Sequence, residues 1–291
     1  MESFNKINDS GSLWGGLYKP SQRKSNDGKG LRTAVFGSTN AGALVVGSLI
    51  RFEEKYPHLL NLVGVATDDP VDPNARISAQ KRIWKNYKTD EMNLLMEKVI
   101  KTAINAGLPC YTGSVKTDYF RSILTTWNPD IIIMCCFGQK IDAFIFTYPR
   151  RGMYNFHPSE LAANIGTGLH PFSDAIKKER KTSTMTVHMV SETIDCGPII
   201  GNSPPVNICT ASGDYPKNIL TLQEKVPAVC GWMSIELILE VIKNHQSGKN
   251  GAISSIDFNA NMPDVIREKL LEPAIDDLTE FYTIPLHDKI K

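Results

Sequence analysis

Between positions 31 and 137 the chain alternates short apolar runs with segments whose apolar residues recur at helical spacing. Residues 33–36 and 62–66 read as strands, with a helix over 41–55 between them. Residues 92–106 place Leu94, Leu95, Val99, Ile100 and Ile104 on one helical face, so one helix is predicted there. Cys110 and Tyr111 suit a third strand, 119–127 a further helix, and 130–137 the strongest strand of the chain. That last run is continuously apolar, as a central parallel strand covered on both faces requires. Strands follow at 153–157, 183–190 and 199–208, with helices near 171–178, 226–243 and 263–281. Strands alternating with helices predict an α/β fold with a doubly wound, mostly parallel, Rossmann-like sheet. Residues 1–30, rich in Ser, Asn, Gly and Lys, read as a flexible polar leader. Residues 31–248 read as the α/β domain, 249–291 as a short helical C-terminal extension, and 69–88 as a polar insertion or long loop.

Composition narrows the function classes. The 291 residues are 42% apolar, enough for a buried core. Lys plus Arg total 32 against 31 for Asp plus Glu, a net charge of +1 that points away from nucleic acid as partner. No apolar run reaches the length of a membrane span, and the first 30 residues lack the apolar core of a secretory signal, so no membrane partner is expected. The six cysteines, Cys110, Cys135, Cys136, Cys196, Cys209 and Cys230, form no Cys-x-x-Cys pair. They read as reduced thiols of a cytoplasmic protein.

Candidate chemistry gathers in the middle of the chain. Strand alternation puts Asn155 and His157 on one face, and Pro158 ends the strand directly after them. Two polar groups therefore stand at the carboxyl end of a strand, where open α/β sheets bind ligands. Thr186 and His188 share a face of the next strand, and Asp195 follows in a tight turn before Cys196-Gly197-Pro198. Each alone has a plain structural reading, as strand cap, core histidine or turn former. His157, His188 and Asp195 follow no metal-ligand spacing, and no metal is expected. Gly37, Ser38 and Asn40 lie between a strand and a helix, a position where backbone N–H groups can hold a phosphate, although the segment is neither a dinucleotide fingerprint nor a P-loop.

The run Asn155-Phe156-His157-Pro158-Ser159, then Gly166, Pro171 and Ala175-Ile176, then Thr186-Val187-His188, then Asp195-Cys196-Gly197-Pro198-Ile199-Ile200, resembles the 10-formyltetrahydrofolate-dependent formyltransferases. The resemblance implies the formyltransferase fold over 31–248 and 10-formyltetrahydrofolate as formyl donor. It implies a triad of Asn155, His157 and Asp195, with Thr186 holding an ordered water. Phe137, Gly138, Gln139, Lys140 and Ile141, with Glu192, Thr193 and Ile194, are similar to the family's folate-binding loops. Gly37, Ser38, Asn40, Ser159, Gly166 and Gly168 are candidates for binding the acceptor, in the glycinamide ribonucleotide enzymes through its phosphate. A protonated His157 and the Asn155 amide would donate to the developing oxyanion, while Asp195 would favour the imidazolium and accept a proton from the attacking amine. A homodimer is compatible with the family.

The chain departs from the family pattern after Ser159. Ala162 stands where the family has Pro, Ile165 where it has Arg, and the loop to Pro171 carries two extra residues. Loss of a planar bidentate donor bears on which acceptor fits. Ile before this Gly is also seen in the formyltetrahydrofolate hydrolases, although residues upstream leave no room for their regulatory domain. Residues after about 250 look too short for the barrel of the methionyl-tRNA enzymes. The expectation is an enzyme that formylates a small-molecule amine, such as an amino-sugar nucleotide or glycinamide ribonucleotide. The rival readings are a 10-formyltetrahydrofolate hydrolase and a non-catalytic folate- or nucleotide-binding protein.

Overall fold

The computed structural model describes residues 6–7, 15–22, 28–69, 84, 87–168, 170–249 and 251–276. Strands β1 (Lys6–Ile7), β2 (Gly15–Tyr18), β3 (Leu31–Gly37), β4 (Leu60–Thr67), β5 (Cys110–Gly113), β6 (Ile131–Cys135), β7 (Met153–His157), β9 (Thr186–Met189) and β10 (Ile199–Asn202) form one sheet. Their order is β1-β2-β5-β4-β3-β6-β7-β9-β10. The central β5-β4-β3-β6-β7 strands are parallel, and the edges on both sides are antiparallel. Strand order reverses between β3 and β6, which opens a crevice beyond their carboxyl ends.

Period-two alternation explains how both faces are covered. Val35, Val65, Ile131 and Ile133 pack with Val45 and Leu49 of α1 (Thr39–Lys55) and with Leu237 and Ile238 of a later helix. The intervening Ala34, Phe36, Ala66, Ile132 and Met134 face Phe120, Leu124 and Trp127 on the opposite side. The sheet is therefore doubly wound. A Cβ on Gly42 in the first turn of α1 would lie 2.6 Å from the Gly37 carbonyl carbon. Only glycine lets this helix start so close to the end of β3.

The long helix expected over 92–106 is two helices, α2 (Thr89–Leu95) and α3 (Lys98–Asn105), broken at Glu97 with φ +68°. The two halves bury onto different partners. Leu95 packs with Trp84, Tyr87 and Leu220, whereas Val99, Ile100 and Ala103 join the main core. After α3 come α4 (Asp118–Trp127), α5 (Ala143–Phe146) and α6 (Pro171–Lys177). Thr117 caps α4 through a bond from the Phe120 N–H to its Oγ1 (3.1 Å).

The run 183–190 is also divided. Thr182–Ser183 (β8) leaves the main sheet and pairs with β11 (Val206–Asn207), while β9 stays in it. The strand expected over 199–208 breaks likewise, because Pro204 and Pro205 cannot donate to a ladder. The helix expected over 226–243 starts earlier. It runs through α7 (Leu220–Lys225) and a 3-10 turn at Val226–Val229 containing Pro227 into α8 (Cys230–Gln246).

Both flanks of the chain meet this domain. Gly15–Tyr18, inside the stretch read as leader, pairs antiparallel with β5. Phe258, Met262 and, in α9 (Asp264–Leu271), Ile266 and Leu270 are part of the main core. Tyr154 of β7 accepts from the Ile253 N–H (2.9 Å) and donates to the Arg151 carbonyl (2.8 Å), tying the segment after α8 to the base of β7. The helix expected to 281 ends at Leu271. Residues 277–281 of it, and 70–83, 85 and 86 of the 69–88 insertion, lie outside the described residues.

Trp127 lies edge-on to Phe120 and occupies the space a side chain at position 64 would fill. Gly64→Ala is expected to destabilise the protein by about 1–3 kcal/mol through overpacking, read as a lower urea midpoint at unchanged m-value.

Candidate active site

Four loops, after β3, β6, β7 and β9, surround one cavity. Its wall includes Thr39 after β3, Cys136–Ile141 after β6, Asn155, His157 and Pro158 from β7, and Val190, Ser191 and Thr193–Asp195 after β9. Asn155 and His157 share a face of β7, as period two requires, and both are 7% exposed.

Asn155, His157 and Asp195 are brought together, with His188 as a fourth member. His157 Nδ1 lies 3.7 Å from Asp195 Oδ1, and His188 Nε2 lies 3.5 Å from the same oxygen. Asn155 Nδ2 stands 3.0 Å from His188 Nε2 and 3.5 Å from Asp195 Oδ1. The Gly168 N–H donates to Asp195 Oδ2 (2.7 Å), and His157 Nε2 meets the Gly166 carbonyl at 2.6 Å. A carbonyl only accepts, so the His157 proton is assigned to Nε2. By the same logic His188 carries its proton on Nδ1, towards the Met189 carbonyl (2.9 Å), and accepts from Asn155 through Nε2. The left-handed backbone of Asp195 (φ +56°) turns its carboxylate back over β7.

Electrostatics corrects one expectation. Burial lowers the pKa of His157 and outweighs the opposing pull of Asp195 and the Gly166 carbonyl. The ring is therefore neutral at pH 7 and donates as a neutral Nε2–H, not as the imidazolium expected from sequence. Burial pushes Asp195 up, but its contacts with His188, His157 and the Gly168 N–H hold it below the ordinary carboxylate range.

The other sequence candidates have varied surroundings. Phe137, Gly138, Gln139, Lys140 and Ile141 all line the cavity, as do Thr193 and Ile194, the latter 54% exposed. The Gln139 side chain is turned away to hold the end of β5, donating to the Gly113 carbonyl and accepting from the Val115 N–H. Glu192 is exposed and off the wall. Thr186 is fully buried, and its hydroxyl lies 2.6 Å from the Ser159 carbonyl and 2.7 Å from Asn202 Oδ1 rather than in the cavity. Gly166 and Gly168, both at positive φ, form the strap over His157 and Asp195. Ser159 is buried beneath it. Ile165 does not face the cavity but is 2% exposed in the core with Phe172.

Residues 85–225 match the family described as Formyl transferase. That segment belongs to the formyl transferase family. A methionyl-tRNA formyltransferase of Thermodesulfovibrio yellowstonii is 29% identical over 157 residues, which cover 54% of this chain and 47% of that protein. The chain thus matches about half the length of this curated relative. Among solved structures, glycinamide ribonucleotide transformylase 1 from Symbiobacterium toebii superposes with a TM-score of 0.53 at 18% identity, covering 81% of this chain and all of that one. A formyltetrahydrofolate deformylase from Pseudomonas syringae pv. tomato gives 0.52 at 14% identity, over 73% of this chain and 62% of that one. At these identities the two structures speak for the fold.

The formyl transferase segment contains the triad and the cavity loops after β6, β7 and β9 but not the β3–α1 turn. In that turn, read from sequence as a place where backbone N–H groups can hold a phosphate, the chain's own side chains take part of the hydrogen bonding. The Thr39 N–H is taken by Asp69 Oδ1 (2.9 Å), and the Ser38 hydroxyl bonds Asp68. Asp68 also accepts from the Gly138 N–H through Oδ2 (2.8 Å). Asn40 faces inward, accepting from Lys98 Nζ at 3.3 Å. In the sequence, Asp68 and Asp69 read only as a turn after β4. Glu224 gave no signal either, lying just ahead of the helix expected at 226–243, yet in α7 it is 1% exposed beside the cavity-lining Gln223.

Burial raises Glu224 to about 7, against a smaller pull from Asn40 and Lys98. A carboxyl with a raised folded pKa stabilises the fold below its unfolded pKa and loses that contribution as pH rises through the folded value. Glu224→Gln removes the penalty. Relative to the parent its stability is expected to climb between pH 4.5 and 7 and plateau about 3 kcal/mol higher, measured by urea unfolding across pH.

Proposed function

We propose that this protein transfers a formyl group from 10-formyltetrahydrofolate to the amine of a small molecule. The observation that carries this reading is the convergence of Asn155, His157 and Asp195 on one cavity at the switch point of the sheet, inside the formyl transferase segment. The cavity suits such a donor. Met134, Ile141, Val190 and Ile194 offer apolar walls for a flat heterocycle, and the loop 137–141 supplies backbone polar groups at its edge. When bound, the donor supplies an activated formyl carbon.

The chain's own residues then act as follows. His157 gives up the Gly166 carbonyl and turns its Nε2–H to the formyl oxygen. Asn155 gives up its 3.5 Å contact with Asp195, the longer of its two, and donates to the same oxygen. Both donors are held in a dry site, where each is worth about 3–4 kcal/mol to an oxyanion. The neutral amine attacks the formyl carbon. Asp195, held ionised by its neighbours, accepts the proton the amine loses as the new C–N bond forms. Collapse of the tetrahedral adduct breaks the formyl C–N10 bond, with that proton passing to N10 of the departing folate. The Gly166–Gly168 strap must shift for this to happen. Thr186 serves as a buried prop for the loop at Ser159 in this scheme, rather than as the holder of a water.

The curated relative's name points to a tRNA acceptor, whereas a net charge of +1 supplies no broad cationic surface for one. The decisive assay incubates the protein with 10-formyltetrahydrofolate and a panel of amino-sugar nucleotides, glycinamide ribonucleotide and methionyl-tRNA, following folate absorbance. Amine-dependent turnover is expected. Formate release without any amine would identify a hydrolase, and no turnover with any acceptor or with water would sink the catalytic reading. His157→Ala and Asn155→Ala are each expected to lower kcat by about 10²–10³ while far-UV circular dichroism stays unchanged. Retention of most activity would remove that residue from its role.

A further inference from the structure

Two bonds of the Gly166–Gly168 strap end on the reacting groups themselves. The Gly166 carbonyl takes the Nε2–H of His157 at 2.6 Å, and the Gly168 N–H donates to Asp195 Oδ2 at 2.7 Å. The first bond occupies the donor that the formyl oxygen needs, and the second occupies the group that receives the amine proton. The strap is pinned at both ends. Ile165 and Phe172 are buried in the main core, and the Gly166 N–H donates to Asp174 Oδ2 (3.3 Å). A Cβ at position 166 would lie 2.4 Å from the Pro171 carbonyl oxygen, so the two ends of the strap meet. Between them the strap is open on its outer side. Thr167 and His170 are exposed, and a Cβ on Gly168, at φ +82°, would meet nothing within 4 Å.

A carbonyl released from the triad needs another donor, since a buried carbonyl left unpaired is unfavourable. Ser159 supplies one. Its side chain packs against Gly166, where an added Cβ would lie 2.8 Å from the Ser159 Cβ. Its hydroxyl is buried beneath the strap with no hydrogen-bond partner among the described residues. The Gly166 carbonyl therefore has two donors beside it, the His157 ring that it holds and the Ser159 hydroxyl that is unused. Two arrangements of the strap follow, one covering the triad and one exposing it. Water can enter the cavity but brings no binding energy with which to exchange one for the other. An acceptor with a body larger than water brings that energy through contacts away from the reacting centre.

We propose that the strap sets the specificity of this site against water. In the covered arrangement Gly166 and Gly168 keep His157 and Asp195 from a bound formyl group, and the binding energy of the acceptor lifts the strap and frees both groups together. Ser159 holds the Gly166 carbonyl while the strap is lifted. Water alone meets a triad that is still tied down. This control rests on the formyl-transfer reading of the site and adds to it the reason why the donor is spared until an acceptor is present.

Gly168→Ala tests the latch without disturbing packing, because the added methyl meets open space and disfavours only the left-handed backbone of the covered arrangement. The first readout needs no folate. Hydrogen exchange, followed by NMR on the full chain, reports the amide of residue 168 and the ring proton of His157. Both are expected to exchange about tenfold faster in the variant, after correction for intrinsic rates. The second readout is formate released from 10-formyltetrahydrofolate with no amine present, a reaction in which water adds to the formyl carbon, the C–N10 bond breaks and a proton passes to N10. Release is expected to be slow in the parent and about tenfold faster in Gly168→Ala. Adding Ser159→Ala to that variant is expected to return the rate towards the parent's; a double variant that keeps the full rate removes Ser159 from its place. Gly213→Ala, at φ +86° in equally open space and off the cavity wall, is expected to change neither readout. Unaltered exchange in Gly168→Ala, or faster exchange without faster formate release, overturns the proposal. So does formate release by the parent as fast as its amine-dependent turnover, which decides the matter even where the variant does not fold. Absence of turnover with amine or water in parent and variant alike sinks the formyl-transfer reading instead, and the exchange rates then decide the latch by themselves.

Discussion

The carboxylate of Asp68 joins the two loops that part where strand order reverses. One oxygen meets the Ser38 hydroxyl after β3 and the other meets the Gly138 N–H after β6. Parallel sheets of this kind bind ligands where those loops diverge, and loops that diverge must be held in register by something other than the sheet. Asp68 does this from a fully buried position, although burial lifts its pKa to about 6. The spacing between the Thr39 wall and the 137–141 wall follows from this bridge, and with it the width of the cavity over Asn155 and His157.

Burial sets the protonation pattern throughout the site. His157 and Glu224 are pushed towards their neutral forms, while Asp195 stays ionised because three neighbours act on it together. Two acidic groups of the same region thus have different characters: Asp195 on the cavity wall is held ionised, whereas Glu224, buried next to the cavity-lining Gln223, is poised near neutrality.

Much of this was legible in the sequence where local pattern and global fold agree. The apolar run at 131–135 reads as a central strand because both its faces are covered, and Asn155 and His157 read as neighbours because a strand has period two. The break at Glu97 was not legible, because residues 92–106 contain neither Gly nor Pro and the break comes from two helices burying on separate clusters. His188 read as a core histidine or a motif partner, and its link to Asn155 depends on the antiparallel register of β9 on β7. Ile165 shows the limit of reading by alignment with a family. The missing guanidinium suggested an altered acceptor contact, but the side chain there points into the core, so this position no longer reports on the acceptor at all. Asp68, Asp69 and Glu224 went unnoticed because acidic residues in turns and helices are common. Only their burial distinguishes them.

The Asp69–Thr39 bond has a consequence for competition in solution. A carboxylate fixed two residues beyond β4 behaves as a tethered ligand, with an effective concentration of about millimolar even were its linker loose. Here the tether is short and its neighbours are packed, so the carboxylate is already in place when any free anion arrives. Any free acceptor of that N–H then contends with an occupant that never diffuses away.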